Sequence, residues 1–343
     1  MKELTEREQR NLDLPWSEDW IKTLTKLNLP EHNNPGTPFT QTKLFWYWIT
    51  ERHNMYRLRK LGKQPPWTYD PILRDYKFTN PFRENDRVTV WMRNWTKLHD
   101  NRPLGEILFN CCLFRMIGTS EFAEEHGWVS DEFIPEHTKY IIEKRMAEGL
   151  RTFTGAYIIT NQGIKKPKAE VVVDEFLIPI WNRKEDLAEI SQKTQSLEET
   201  HKAMGGFRGW GGGGFMSYEV VTDLNYTTVL ASAKDRYTWA NAGPGAKRGL
   251  NRMTNQTVKK AMSQPIANKL MQMLLAEIKQ LNEESPPTFA KVDPDALDMR
   301  TVEHSLCEFD KYMRVKKGEG TPRSKFSGKK YDEVREAVIG AVL

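Results

Sequence analysis

The chain has 343 residues, enough for one large domain or two ordinary ones. Its 38% hydrophobic residues, with 11 Trp, 15 Phe and 11 Tyr, exclude a disordered protein. Its three cysteines form neither a disulfide framework nor the paired spacing of a zinc site, which predicts a reducing compartment. The start of the sequence lacks the apolar core of a signal peptide and no run approaches about 18 apolar residues, so we expect neither secretion nor a membrane span.

A net charge of only +5 does not indicate a nucleic-acid ligand, but the positions of the charges do. Residues 52–63 and residues 243–260 carry five basic residues each, and residues 311–330 carry eight with Glu319 as the single acid. Clusters of one sign attract phosphates through the release of counterions, whatever the overall balance. The clusters favour DNA binding, and solvated helix faces are the simpler alternative.

The residue patterns predict helices along most of the chain after an irregular arm at residues 1–39. The first helix runs from Thr40 or Thr42 to about Leu61 and is followed by an ordered loop rich in proline and aromatics. Later helices are predicted at residues 84–98, 104–117, 138–150, 168–181, 185–204, 215–230, 264–282 and 297–314. Strand patterns are scarce outside the β-branched stretch Val171–Phe176, so the sequence predicts an all-α fold.

The expected domain organisation is simple, because the length allows either one large domain or two lobes. Residues 40–330 are predicted to form one helical catalytic domain, or two lobes at about 40–165 and 166–330. Residues 331–343 are predicted to form a C-terminal helix.

A glycine-rich turn between two predicted helices is the most specific local feature. A helix, a glycine-rich hairpin at residues 205–214 and a second helix have the layout of a helix-hairpin-helix. Such a turn offers bare backbone amides to a DNA phosphate, and Gly211 and Gly213 are the predicted contacts. A flexible surface loop is the alternative.

A second anion-binding turn is predicted at Gly243-Pro244-Gly245, which precedes Lys247 and Arg248 at a helix start. Backbone amides at a helix N-terminus together with two cations suit a phosphate group. The spacing is not that of a nucleotide-binding P-loop, and no P-loop string occurs in the sequence. A plain helix-capping turn would explain the same residues.

The predicted helix at residues 297–314 carries the ionisable residues of the candidate site. Its buried stripe consists of Val302, Leu306, Phe309 and Met313. Two further faces collect three ionisable residues each, namely His304, Glu308 and Lys311 on one and Glu303, Asp310 and Arg314 on the other. One His and one Glu are too few ligands for a metal, so we expect no metal site. Self-neutralising surface charge is the alternative.

Aromatic and polar residues alternate in residues 67–87. Trp67, Tyr69 and Phe82 are candidates to stack on a displaced base, and Asn80 is a candidate to read the edge of that base. Aromatic packing around a structural turn is the alternative.

Five motifs occur in a fixed order along residues 40–327. They are Phe45-Trp46-x2-Ile49-x-Glu51-Arg52, Asp70-Pro71-Ile72-Leu73-x2-Tyr76-Lys77-Phe78-x-Asn80-x2-Arg83-x2-Asp86-Arg87, the glycine-rich turn leading to Asp223-Leu224, Gly243-Pro244-Gly245-Ala246-x-Arg248-Gly249, and Leu306-Cys307-Glu308-x2-Lys311-Tyr312. The ordered set resembles the alpha-glutamyl/putrescinyl thymine pyrophosphorylase family of bacteriophages, the amino acid:DNA transferases. It is similar also to the helical domain of phage 5-hydroxymethyluracil DNA kinases.

The resemblance implies a DNA-glycosylase-like helical fold and an enzyme that acts on double-stranded phage DNA in the cytoplasm of the infected host. In such DNA thymine is replaced by 5-hydroxymethyluracil, and a kinase converts its hydroxyl into a pyrophosphate ester. The transferase displaces pyrophosphate from the 5-methylene carbon with the amine of a free amino acid or a polyamine. The missing P-loop fits the transferase better than the kinase. The identity of the amine and a requirement for Mg²⁺ stay open, and no other cofactor is expected.

The resemblance gives the candidate residues roles that chemistry can rationalise. Pyrophosphate leaves readily once cations such as Lys247 or Arg248 neutralise it. A protonated amine needs a general base, for which Glu308 is the first candidate and Asp310 the second. Arg52 is a candidate to hold a substrate carboxylate through two parallel hydrogen bonds.

Two sets of binding residues complete the prediction. Substrate or pyrophosphate is expected to contact Arg52, Arg83, Asp86, Arg87, Lys247, Arg248 and Lys311. DNA or an extruded base is expected to contact Trp67, Tyr69, Asn80, Phe82, Gly211, Gly213, Gly243 and Gly245.

Two other functions compete with transfer. A helix-hairpin-helix DNA glycosylase carries a catalytic Asp after its hairpin, and Asp235 follows Gly214 by 21 residues. A DNA-binding partner without catalysis would need only the basic clusters.

Overall fold

A computed structural model describes residues 37–284 and 292–326. Its helices are α1 (Thr42–Lys60), α2 (Pro71–Asp75), α3 (Arg87–Lys97), α4 (Leu104–Ile117), α5 (Ser120–His126), α6 (Pro135–Ala147), α7 (Lys168–Glu170), α8 (Ile178–Asn182), α9 (Lys184–Thr194), α10 (Leu197–Met204), α11 (Phe215–Leu224), α12 (Pro244–Met253), α13 (Gln264–Glu284) and α14 (Met299–Lys316). A π-helical stretch, Val171–Leu177, joins α7 to α8, and short 3-10 turns lie at Arg83–Asn85 and Pro294–Ala296. Within these ranges the chain has one isolated β-bridge and no strand, so the all-α prediction is confirmed.

The helix predicted at residues 168–181 is confirmed, with a π-helical stretch inside it. The strand that the β-branched residues 171–176 also allowed is not formed, because burial of their side chains decides the conformation and intrinsic preference does not. The helix predicted at residues 185–204 is broken in two at Gln195, which adopts a left-handed φ of 44°. The C-terminal helix predicted at residues 331–343 lies outside the described residues, as does most of the predicted arm.

The chain divides into two compact units, and each is described here by itself. Unit 1 is described at residues 37–83, 242–284 and 292–326, and unit 2 at residues 84–241. Unit 1 is therefore built from two separate stretches of sequence, and its boundaries differ from the consecutive lobes 40–165 and 166–330.

The core of unit 1 is formed by α1, α12, α13 and α14. The rings of Phe45 on α1 and Phe309 on α14 meet edge to face with centroids 5.3 Å apart. Gly245 and Gly249, one turn apart on α12, face α14 at its closest crossing. A Cβ atom at Gly249 would collide with the backbone carbonyl of Leu306, and one at Gly245 would collide with Cys307. The two glycines therefore let the helices approach backbone to backbone.

Asp70 fixes the loop between α1 and the candidate site. Its carboxylate caps α2 by accepting from the amides of Ile72 at 2.8 Å and Leu73 at 3.1 Å. The same side chain accepts from the hydroxyls of Tyr47 on α1, at 3.1 Å, and Tyr312 on α14, at 2.8 Å. Burial and then the Asp70 charge raise the pKa of both tyrosines, so both stay protonated donors. One buried carboxylate thus ties three elements together.

The core of unit 2 is organised around α4, α11 and the π-helical stretch. Arg115 on α4 forms a buried ion pair with Asp223 on α11, in which Nη2 lies 2.7 Å from Oδ1. Burial alone would lower the pKa of Arg115, but Asp223 and then Glu219 raise it well above its usual value. The fully buried Trp210 donates its indole N–H to the Phe176 carbonyl at 2.9 Å. The glycine-rich turn is therefore anchored by its own tryptophan.

We predict that Gly249→Ala lowers the free energy of unfolding by about 1–3 kcal/mol, the usual cost of overpacking a core. The added methyl would meet the Leu306 backbone, which cannot move aside as a flexible side chain could. Urea unfolding measures the change. Gly155→Ala is the control, because open space surrounds a Cβ atom there. Equal stability of Gly249→Ala and the wild type would contradict the close crossing.

Candidate functional site

The loop Phe78–Asn80 in unit 1 is held from both sides by polar side chains. Arg52 of α1 donates its Nε to the Phe78 carbonyl at 3.0 Å. From α14, Glu308 accepts the Thr79 amide at 2.9 Å, and His304 Nε2 lies 2.7 Å from the Thr79 hydroxyl. The loop therefore brings an arginine, a carboxylate and an imidazole from distant parts of the sequence to one place. We call Arg52, Thr79, Asn80, Glu308 and Lys311 the loop site.

Glu308 is the buried carboxylate of the loop site. Its Oε2 accepts from the Thr79 amide and pairs with Lys311 Nζ at 2.7 Å, while its Oε1 makes no hydrogen bond in the part of the chain that the structure describes. Burial raises its pKa, but Lys311 and then His304 outweigh that effect, so the pKa lies below the usual 4.5. Glu308 is thus ionised at neutral pH and keeps one oxygen for a ligand.

Arg52 is the half-buried cation of the loop site. Only its Nε is hydrogen-bonded, and the two terminal nitrogens have no partner among the described residues. Burial and then the nearby Arg59 lower the pKa of Arg52 to about 10, against a smaller opposing effect of Glu308. A guanidinium stays charged at that pKa, and its free nitrogens present the two parallel donors that suit an oxyanion.

Asn80 adds an unsatisfied donor to the loop site. Its Oδ1 accepts from the Phe82 amide at 2.9 Å, whereas its buried Nδ2 has no partner within the described ranges. A buried amide without a partner costs free energy, so such a group is informative about a ligand. The predicted alignment of His304, Glu308 and Lys311 on one face of the helix is confirmed, because all three meet at this loop.

Asp310 lies on the opposite side of α14 and serves a structural purpose. Its two oxygens accept from Nε of Arg248 at 2.8 Å and Nε of Arg252 at 2.7 Å. Arg252 is itself buried and reaches Glu319 at 2.6 Å. Both oxygens of Asp310 are taken and the residue is 1% exposed, so neither oxygen is available in this arrangement, and its role as a second general base stays a prediction. Arg248 keeps a half-exposed guanidinium.

The turn before α12 is partly filled by the chain itself. The Gly243 amide donates to Glu303 at 3.4 Å, so a side-chain carboxylate already lies at this helix N-terminus. Gly245 faces Cys307 and serves helix packing rather than an open anion site. Lys247, in contrast, is half-buried and makes no ion pair in the described ranges. Binding of pyrophosphate here stays a prediction for Lys247 and Arg248.

Burial separates the three aromatic candidates. Trp67 is 4% exposed and Phe82 is 1% exposed, so neither offers a ring face in this arrangement, and their role in base stacking stays a prediction. Trp67 packs on Phe326 and donates its indole N–H to the Lys63 carbonyl at 2.8 Å. Tyr69 is 57% exposed and keeps its face for a base.

The carboxylates predicted in unit 2 are helix caps. Asp86 accepts from the amides of Val88 and Thr89, each at 3.1 Å, and begins α3. Asp235 lies in a later loop and accepts from the first amides of α10, those of Leu197 at 2.8 Å and Glu198 at 2.9 Å, beside the N-cap residue Ser196. The catalytic role considered for Asp235 therefore lacks a free carboxylate.

The other predicted residues have simpler surroundings. Arg83 begins a 3-10 turn at the end of the loop that carries Asn80, and Arg87 is exposed at the start of α3. A Cβ at Gly211 would meet the backbone of Gly205, whereas open space surrounds Gly213. A tight turn and an open amide edge are both compatible with phosphate binding, which stays a prediction.

The sequence patterns missed Thr79, Arg252 and Glu319. Thr79 sits at an unassigned position between two motif residues and acts mainly through its backbone amide, which leaves no compositional signal. Arg252 could have been predicted from the sequence, because it lies four residues after Arg248 and so shares its helix face.

Further findings concern metals and membranes. The described residues contain no group of three or more His, Cys, Asp or Glu side chains placed to hold a metal ion. None of the helices in the described ranges combines the length and apolar character that crossing a lipid bilayer requires.

Comparison with known proteins identifies the family. The family model described as the helical domain of 5-hmdU DNA kinase matches residues 40–321, so the chain belongs to this family of phage DNA-modification proteins. The 5-hmdU DNA kinase of Bacillus phage SP10 is 26% identical over 324 residues, which cover 84% of this chain and 48% of that kinase. The chain thus spans about half the length of this relative, and the predicted relation is confirmed. No solved structure matches significantly.

We predict that Glu308 contributes more to stability at neutral pH than in acid. Its pKa is depressed on folding, so its contribution is complete above the unfolded-state value of about 4.5 and is lost as the pH falls through the folded value. The wild type should therefore be more stable than Glu308→Gln at neutral pH. The difference between their free energies of unfolding should shrink below about pH 4.5.

Urea unfolding at a series of pH values measures this difference. Glu132→Gln is the control, because Glu132 is exposed and makes no ion pair among the described residues. A Glu308 difference that stays constant with pH, or grows in acid, would contradict the lowered pKa.

Proposed function

We propose that this chain is a DNA-modifying transferase. It would displace pyrophosphate from 5-(pyrophosphoryloxymethyl)uracil in double-stranded DNA with the amine of an amino acid or a polyamine, in the cytoplasm of an infected host. The family relation supports action on DNA that contains 5-hydroxymethyluracil. The resemblance to the amino acid:DNA transferases supports a step on the modified base itself.

The observation that carries the proposal is that Glu308 and Arg52 both hold the same loop, Phe78–Asn80. Glu308 offers a free carboxylate oxygen, and Arg52 offers unpaired guanidinium nitrogens. A carboxylate that accepts a proton and cations that neutralise a departing anion are the two aids that amine transfer requires. Lys311 keeps the carboxylate ionised and ready to accept.

The proposed step is a single displacement. Oε1 of Glu308 takes a proton from the ammonium form of the amine and so frees the nitrogen lone pair. That lone pair forms a C–N bond with the 5-methylene carbon, and the C–O bond breaks with its electron pair on the oxygen of the departing pyrophosphate. Arg52 holds either the carboxylate of an amino acid or the departing anion.

The target base would have to leave the helix for in-line attack. We propose that the exposed Tyr69 stacks on the extruded base and that Asn80 Nδ2 donates to its edge. The glycine-rich turn between α10 and α11 has helices on both sides, as a helix-hairpin-helix does, and is proposed to bind a phosphate. A glycosylase-like architecture is proposed on the same grounds.

Of the competing functions, a DNA-binding partner without catalysis keeps support. Many lysines of unit 1 lack an ion pair in the described ranges, and phosphate binding alone would use them. The glycosylase alternative is weaker, because Asp235 caps α10.

We predict that Glu308→Gln reduces adduct formation by about 10²–10⁴-fold, the usual contribution of a general base, and leaves DNA affinity unchanged. Duplex DNA carrying the pyrophosphorylated base is incubated with protein and a mixture of amines, with and without Mg²⁺. Nucleosides are then analysed by mass spectrometry. Glu132→Gln is again the control and should match the wild type.

The same assay separates the three functions. A new C–N adduct supports transfer, and a free base or abasic site supports a glycosylase. Unchanged DNA with retained binding supports a non-catalytic partner. Full turnover by Glu308→Gln would show that Glu308 is not the general base.

We predict that Arg52→Gln discriminates between classes of amine. If Arg52 holds a donor carboxylate, KM for amino acids should rise about 10–100-fold, the value of one or two charge-assisted hydrogen bonds, and KM for putrescine should not change. Arg74→Gln is the control, since Arg74 is exposed and pairs only with Asp75. Equal losses with both amines would place Arg52 at the pyrophosphate instead.

A further inference from the structure

Two basic segments far apart in the sequence meet in unit 1. The Lys77 amide donates to the Ser324 carbonyl at 3.0 Å, and the Phe326 amide donates to the Asp75 carbonyl at 3.0 Å. Tyr76 and Lys325 are paired in an antiparallel bridge between these bonds. This clasp joins the end of α2 and the loop after it to the segment after α14.

Aromatic packing fixes the clasp. The rings of Trp67 and Phe326 meet edge to face with centroids 5.9 Å apart. The guanidinium of Arg59 lies 5.2 Å from each of these ring centroids, so a cation at the end of α1 rests on both rings. The backbone that presents the neighbouring lysines is therefore held in place.

The clasp displays cations that form no direct ion pair in the described ranges, although Lys325 interacts with the Asp75 carboxylate at longer range. We define the clasp surface as five exposed residues, namely Lys60, Lys63, Lys77, Arg323 and Lys325. None of them forms an ion pair within the described ranges. The nearby acid Asp75 pairs with Arg74 at 2.8 Å.

Several lysines of unit 2, in contrast, form ion pairs with acidic side chains. Lys139 pairs with Asp174 at 2.7 Å, Lys144 with Glu125 at 2.8 Å and Lys166 with Glu175 at 2.9 Å. Lys193 and Lys202 likewise pair with glutamates on their own helices. Ion pairs thus neutralise these five lysines of unit 2, although other exposed lysines of that unit have none in the described ranges. The clasp surface is distinguished by bringing five cations without an ion pair together around one backbone pairing.

We propose that the clasp surface binds the phosphate backbone of double-stranded DNA beside the modified base. The inference rests on the proposed function and specifies where its DNA lies. Cations without an ion pair contribute most to the free energy of binding to phosphates, because binding releases the counterions condensed on DNA. Lys77 directly precedes Phe78, whose carbonyl binds Arg52, so the surface leads along the chain into the loop site.

The composition of the surface favours a nucleic acid over a lipid bilayer. A membrane-bound surface combines cations with exposed apolar side chains that enter the acyl region. Among the described residues of unit 1, the large exposed hydrophobics are Tyr69 and Ile266. Tyr69 is an aromatic suited to a base, and the clasp surface itself offers polar side chains.

The test compares two triple variants with equal loss of charge. Lys63, Lys77 and Lys325 are changed to alanine in one, and Lys97, Lys165 and Lys234, exposed lysines of unit 2 without ion pairs among the described residues, in the other. Affinity for unmodified duplex DNA is measured from 50 to 200 mM salt. Each phosphate contact contributes a slope of about 0.9, so three lost contacts reduce the fourfold salt effect on Kd by about 40-fold.

The proposal stands if the clasp variant shows the shallower salt dependence and the unit 2 variant keeps the wild-type slope, with circular dichroism showing both folded. It falls if both variants keep the wild-type slope, if both lose it equally, or if the clasp variant loses binding only to phosphatidylserine vesicles or RNA. Adduct formation is scored separately on wild-type protein. If the wild type makes adduct but the clasp variant keeps the wild-type slope, only the DNA-binding role of the clasp surface is rejected. If the wild type makes no adduct but the clasp variant has the shallower slope, only the transferase activity is rejected.

Discussion

The crossing of α12 over α14 is the constraint on which the rest of unit 1 depends. Gly245 and Gly249 bring the two backbones together, and Asp310 is then close enough to accept from two arginines of α12. A buried carboxylate is costly unless its oxygens are paired, and this crossing supplies both partners. Arg252 carries the connection on to Glu319, and so to the segment that forms the clasp. Packing and charge therefore fix the same helix from one side.

Fixing α14 in this way determines what its other face can do. Glu308 and Asp310 are two residues apart, about 200° around a helix, and so point in nearly opposite directions. Asp310 is neutralised by guanidinium groups of unit 1 and stabilises the fold. Glu308 is held by one amide and one lysine and keeps an oxygen free. Two carboxylates on one helix thus have different surroundings. That of Asp310 stabilises the fold, and that of Glu308 keeps an oxygen for a ligand.

Periodicity predicted most of the long helices and the face of α14, because both depend on contacts repeated every three or four residues. Composition did not show that the rings of Trp67 and Phe82 pack inward, since an aromatic-rich loop has the same composition when its rings await a base. Sequence distance did not show that the oxygens of Asp235, 21 residues after Gly214, accept from amides at the start of α10. The junction of the basic clusters at residues 52–63 and 311–330 depends on the clasp, and backbone pairing between segments so far apart leaves no local signal.

A helical domain shared with a 5-hmdU DNA kinase points to a task that the proposed transferase would have in common with that kinase. The two reactions would differ in the attacking group and in the leaving group, but both would need the substituent on C5 of the base to be held in place. The terminal nitrogens of Arg52 and Nδ2 of Asn80 would suit that common task, because they are donors without a partner among the described residues. An attacking amine and an attacking hydroxyl each have to lose a proton. The ionised Glu308, with one oxygen left for a ligand, is therefore placed for a proton transfer that both reactions would need.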